Sequence, residues 1–116
     1  MKQSSRRKKG KLLQNLVREK ILKTFRPHLK KKDVDVASTG ETGPDIKLSR
    51  IAKRLVPYSF ETKNQEKLKT IYDWFNQSAR NSGKLEPVLV LKQNGRKPLI
   101  CIELDLFFDL IKNMGV

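Results

Sequence analysis

A chain of 116 residues holds one core's worth of sequence and leaves no length for a separate regulatory domain. Its 26 Lys and Arg against 12 Asp and Glu give a net charge of +14, which points to a polyanion, above all nucleic acid, as partner; the plain alternative is a merely soluble basic surface. No apolar run approaches the roughly 20 residues of a membrane span, and the single cysteine, Cys101, excludes a disulfide frame or a zinc cluster.

Residues 1–10, rich in Lys, Arg, Gln, Ser and Gly, read as a basic flexible arm. The leucines that follow are soon broken by Gln14, Asn15 and Arg18, so no secretory signal is expected and a reducing cytoplasm is the default location. From Lys11 to Phe25 the apolar residues Leu12, Leu13, Leu16, Val17, Ile21, Leu22 and Phe25 recur at helical spacing, and Pro27 ends the run. Glu19 borders that stripe. Asp33–Ser38 and Asp45–Ser49 alternate as half-buried strands, with turn chemistry from Ser38 to Pro44 between them. A short helix over Arg50–Val56 precedes Pro57, which opens a third alternating stretch through Ser59-Phe60-Glu61-Thr62-Lys63-Asn64.

The spacing of Leu68, Ile71, Tyr72, Phe75 and Ala79 predicts a helix over Glu66–Ser82, with Trp74 and Gln77 sharing a second face and Gly83 closing it. Pro87–Leu91 and Leu99–Ile102 are continuous apolar runs, expected as strands covered on both faces, with Asn94-Gly95 as the hairpin signal between them. Asp105 then caps a last helix, Leu106–Met114. The predicted order is α-β-β-β-α-β-β-α: a mixed α/β sheet flanked by helices, with a parallel pairing across the long helix, in one domain over residues 11–116.

In the third strand a period of two puts Glu61 and Lys63 on one face, beside Asp45 on its neighbour. Two carboxylates sharing a hard divalent cation, with an ammonium group alongside, is what phosphodiester hydrolysis requires. Asp45 and Glu61 are the candidate Mg²⁺ ligands, with the backbone carbonyl of Thr62 as a further oxygen, and Lys63 stabilises charge on the phosphate or orients the water. An acid-x-Lys triplet arises once or twice by chance in a chain this charged, and Asp45-Ile46-Lys47 is a second one. A rival frame pairs Asp33 or Asp35 with Asp45 and Lys47; the Gly-Pro-Asp turn before Asp45 favours the first frame. The bland reading is two solvated ion pairs worth about 0–1 kcal/mol each.

Gly43-Pro44-Asp45, Pro57-Tyr58-Ser59-Phe60-Glu61-Thr62-Lys63-Asn64-Gln65-Glu66, Trp74-Phe75-Asn76-Gln77, Pro87-Val88-Leu89-Val90 and Leu104-Asp105-Leu106-Phe107 together resemble the small phage-type nucleases of the PD-(D/E)XK superfamily, relatives of the Holliday junction resolvases. The resemblance runs from Gly10 onward. It implies a restriction-endonuclease-like fold, hydrolysis of branched DNA with Mg²⁺ (Mn²⁺ as substitute), often a homodimer, and a bacterial or phage-infected host cell. By the same resemblance Asp45, Glu61 and Lys63 match the catalytic triplet, Glu19 a first-helix acid added to the metal site, and Gln77 a polar residue near it. On sequence grounds alone Glu19 is equally a helix-surface charge. Trp74 reads as a packing or interface residue, and Cys101 as a small buried hydrophobe. Backbone contacts to DNA are expected from Arg6, Arg7, Lys8 and Lys9, from Lys30, Lys31 and Lys32, and from Lys53 and Arg54.

Overall fold

Lys, Arg, Gln and Leu are all good helix formers, and the computed structural model, which describes residues 3–64 and 67–114, runs them as one helix, α1 (Gln3–Thr24). The basic stretch expected as a flexible arm therefore supplies, from Gln3 on, the opening turns of that helix. No proline interrupts it, and Gly10 costs only about 1 kcal/mol relative to alanine. A 3-10 turn (Lys31–Asp33) leads into β1 (Val34–Val36), followed by β2 (Ile46–Leu48) and α2 (Arg50–Leu55). Then come α3 (Lys69–Asn81), β3 (Leu89–Leu91), β4 (Leu99–Cys101) and α4 (Leu104–Lys112). The fold is mixed α/β, but each strand pairs antiparallel with its chain neighbour, Val34 opposite Leu48 and Leu89 opposite Cys101. Two two-stranded sheets thus stand where one mixed sheet with a parallel pairing is expected. Local antiparallel closure needs only a short loop, whereas a parallel pair needs a long crossover and cover on both faces.

The chain divides into two compact units, Met1–Asn64 with Phe108–Val116, and Gln65–Phe107. In the first unit Val17, Ile21, Leu22 and Phe25 of α1 are buried with Val34, Ile46, Ala52, Val56, Phe108 and Ile111. At about 100° per residue, Leu12 and Leu16 fall off this face and are exposed, which narrows the expected stripe. Two backbone-directed cations hold α1 to β1: Lys11 Nζ donates to the Ala37 carbonyl (2.8 Å) and Arg18 Nε to the Val34 carbonyl (2.6 Å). Ser49 caps α2, its hydroxyl accepting from the Ala52 N–H (3.1 Å).

Asp33 shows what such a polar contact does for stability. Its carboxylate accepts from the Lys30 N–H and the Ser49 hydroxyl, each at 2.8 Å, in a buried position. Those bonds, the Lys30 N–H first, hold its pKa below the ordinary carboxylate value. A depressed folded-state pKa stabilises the fold fully above the unfolded value and ceases to do so as pH falls through the folded one. Asp33→Asn therefore melts below the parent at neutral pH, and the gap closes as pH drops below about 4. Thermal melts from pH 7 to pH 2.5 measure it; a gap independent of pH contradicts this role for Asp33.

In the second unit α3 begins at Lys69, and Glu66, expected to open it, lies outside the described residues. Gly83 takes a positive φ of 60° just past the helix end. Gly95, at φ 78°, permits the β3–β4 turn, which closes with the Arg96 N–H on the Gln93 carbonyl (2.9 Å). The strands expected to be covered on both faces are not: Val90, Leu99 and Ile100 are each more than 60% exposed, at 63%, 67% and 67%, and Cys101 is half-buried. α4 starts at Leu104, which puts Asp105 in its first turn and not at its cap. Among the described residues no helix is long and apolar enough to cross a membrane.

Candidate functional site

Gly40-Glu41-Thr42-Gly43-Pro44 carries the chain from β1 to β2, and Gly43 at φ 102° provides the left-handed step before Pro44 fixes the approach to Asp45. Asp45 lies between two segments of backbone. Its carbonyl accepts from the Ala37 N–H (2.9 Å), extending the β1–β2 register, and its N–H donates to the Phe60 carbonyl (3.2 Å). Residues 57–64 form no strand, contrary to expectation. Pro57 has no N–H to give to a ladder, and the bond from Asp45 to Phe60 is the backbone link that ties this segment to β2.

Side chains complete what the backbone leaves open. The Asp45 Oδ2 accepts from both the Thr62 N–H (2.7 Å) and the Thr62 hydroxyl (3.1 Å). The ring of Phe60 stacks on buried Phe108 with centroids 6.2 Å apart and planes inclined by 7°. Phe60 and Thr62 are thus held on the inner side while Glu61 and Lys63 stand out in solvent. Their side chains are 63% and 69% exposed, with Lys63 Nζ 3.5 Å from Glu61 Oε1. The alternation expected of a strand survives without the strand.

Thr62 adds a contact beyond the expected carbonyl: its N–H and hydroxyl tie the first acid to the triplet that carries the second. A threonine inside an alternating acid-x-Lys triplet is the sequence signal for it. Glu19 is not gathered into this cluster. It sits about 200° round α1 from buried Val17 and Ile21, exposed, with Oε1 3.1 Å from the Arg18 guanidinium. Arg18 in turn reaches the Val34 and Lys31 carbonyls. Among the described residues no three His, Cys, Asp or Glu side chains come together to hold a metal ion. Gln77 is exposed on α3, in the second unit.

Of the rival frame, Asp35 stands opposite Lys47 in the β1–β2 register, while Asp33 and Lys47 have partners of their own. Asp33 is tied to Lys30 and Ser49, and Lys47 Nζ lies 2.6 Å from Glu41 across the β1–β2 loop. The contact with Glu41 raises the Lys47 pKa, and the Lys47 ammonium, with the Ser38 N–H, lowers that of Glu41. Of the nine expected DNA-contacting residues, Arg7, Lys8, Lys9, Lys30, Lys31, Lys32, Lys53 and Arg54 are all exposed, and the side chain of Arg6 lies outside the described residues. No family model, no curated protein and no solved structure matches the chain.

Proposed function

We propose that this chain is a divalent-metal-dependent DNA endonuclease of restriction-endonuclease-like ancestry, selective for branched DNA and acting as a homodimer. The observation that carries the reading is the clamp of Asp45 onto Thr62, which holds an acid on one segment against the acid-Thr-Lys triplet on the next. Asp45, Glu61 and the Thr62 carbonyl are oxygen donors only, the set Mg²⁺ or Mn²⁺ accepts, and one or two carboxylates suffice because Mg²⁺ keeps several waters. Such an ion polarises the phosphate and lowers the pKa of bound water. Lys63, beside Glu61, holds positive charge where the phosphate gains negative charge, and the exposed lysines and arginines of α1, the 3-10 turn and α2 position the backbone without reading sequence. Two copies related by a two-fold axis present two such sites to opposed strands of a junction.

A cleavage assay in Mg²⁺ comparing a four-way junction, a flap, nicked duplex, a single strand and linear duplex tests this. Paired cuts across the junction, at least about tenfold faster than cutting of linear duplex, are expected for a resolvase. Equal rates on linear duplex remove the junction preference, and no cutting of any substrate removes the nuclease. A second reading, a non-catalytic nucleic-acid-binding protein, is favoured by the exposed lysines and arginines, which suffice to bind phosphate without any metal. That protein binds the same substrates with or without Mg²⁺ and leaves them intact.

A further inference from the structure

Within the second unit α3 and the β3–β4 hairpin enclose a cleft of about 690 Å³. That volume is within the range of roughly 300–1,000 Å³ typical of small-ligand pockets. Part of its lining is apolar: Ile71, Leu91 and Leu99. Trp74, the only tryptophan in the chain, lines it and is 49% exposed. Lys92, Arg96 and Lys97, from the hairpin turn and its flanks, line it too, all three exposed, and no carboxylate is among the described residues that line it. An apolar lining alone would fit any apolar partner. Three cations with no acid among them select an anion, and the large aromatic face beside them selects one with a flat π surface.

Unpaired nucleotides have both properties. A base stacks on an aromatic side chain in a way that tolerates any sequence, while flanking phosphates follow the cations; in duplex the same base face is covered by its neighbours. We propose that the α3–hairpin cleft is a binding site for an unpaired stretch of DNA, with a base stacked on Trp74 and its flanking phosphates held by Lys92, Arg96 and Lys97. The site shares no residue with Asp45, Glu61 or Lys63 and stands whether or not those residues cut.

The test uses the full chain in EDTA, so that cleavage plays no part, with Trp74 as the sole indole emitter. Addition of a 12-nucleotide oligo(dT) quenches Trp74 emission, and duplex of equal length quenches it far less. By anisotropy of a labelled oligo(dT), Trp74→Leu binds about tenfold more weakly while Trp74→Phe retains most of the affinity. The triple substitution Lys92→Ala, Arg96→Ala, Lys97→Ala lowers the slope of log affinity against log salt by about 2, as expected for three lost single-strand phosphate contacts. The emission readout uses the parent protein and is immune to misfolding of a variant. Unchanged emission with oligo(dT), or equal quenching by duplex, overturns the site. So does emission that shifts with protein concentration in the absence of DNA, which assigns the cleft to a second copy of the chain.

Discussion

Glu61→Gln abolishes Mg²⁺-dependent cutting while leaving DNA binding equal or slightly tighter. The substitution keeps the shape of the side chain and removes one negative charge from the surface proposed to receive phosphate. Even a residue standing behind a metal ligand is commonly worth 10–100-fold, so loss of a ligand is expected to slow cleavage by about 100-fold or more. Lys63→Ala falls by about 10²–10³-fold, the usual worth of one preorganised group facing developing charge. Stability is barely touched, because the Glu61–Lys63 contact is 3.5 Å long between side chains both more than 60% exposed, a class of pair worth about 0–1 kcal/mol. The readouts are single-turnover cleavage and binding of a labelled junction in Ca²⁺ or EDTA. A Glu61→Gln protein that cuts at the parental rate eliminates the proposed site, whatever the binding data show.

The largest effect on stability is expected at Phe108. It is 4% exposed, lies in the first unit with Ile21, Val34 and Val56, and carries the stacked ring of Phe60. Truncation to alanine removes the ring and leaves a cavity, at a cost of about 3–5 kcal/mol. Small domains hold only about 5–15 kcal/mol in total, so a large fall in thermal midpoint follows. The same change frees Phe60, and with it the segment that presents Glu61 and Lys63, so cleavage falls at temperatures where the protein is still folded. Circular dichroism melts and cleavage at low temperature separate the two effects. A variant that melts like the parent shows that Phe108 is not part of the core.

These two residues also mark how far the sequence can be read. Turn chemistry around Gly43 and Asn94-Gly95 located both antiparallel pairs, and helical spacing located α2, α3 and α4 to within a few residues. Period-two spacing alone put Glu61 and Lys63 on one side, and the structure keeps them there. Periodicity does not report hydrogen-bond partners, so residues 57–64 read as a strand although Pro57 has no N–H to give and the ties to Asp45, one between backbones and two from Thr62 to its carboxylate, form no ladder. Nor does it report cover: Val90, Leu99 and Ile100 look like interior strand residues and are exposed. The phase of Glu19 is ambiguous by one helical step, and the side chain that settles it is Arg18, whose attraction to the Val34 and Lys31 carbonyls no local pattern encodes. Composition makes residues 1–10 look like a flexible basic arm, yet lysine, arginine and glutamine favour helix, and α1 extends from Gln3.

Among the described residues every buried side chain belongs to the first unit, and none of residues 67–107 is buried. Segments with little apolar area removed from water open at low free energy, so amide protons of α3 and the β3–β4 hairpin exchange ahead of those in α1 and β1. Anything that binds only the closed form adds protection in proportion to the logarithm of its concentration. How firmly this unit holds together is then set less by its own sequence than by the concentration of what it binds.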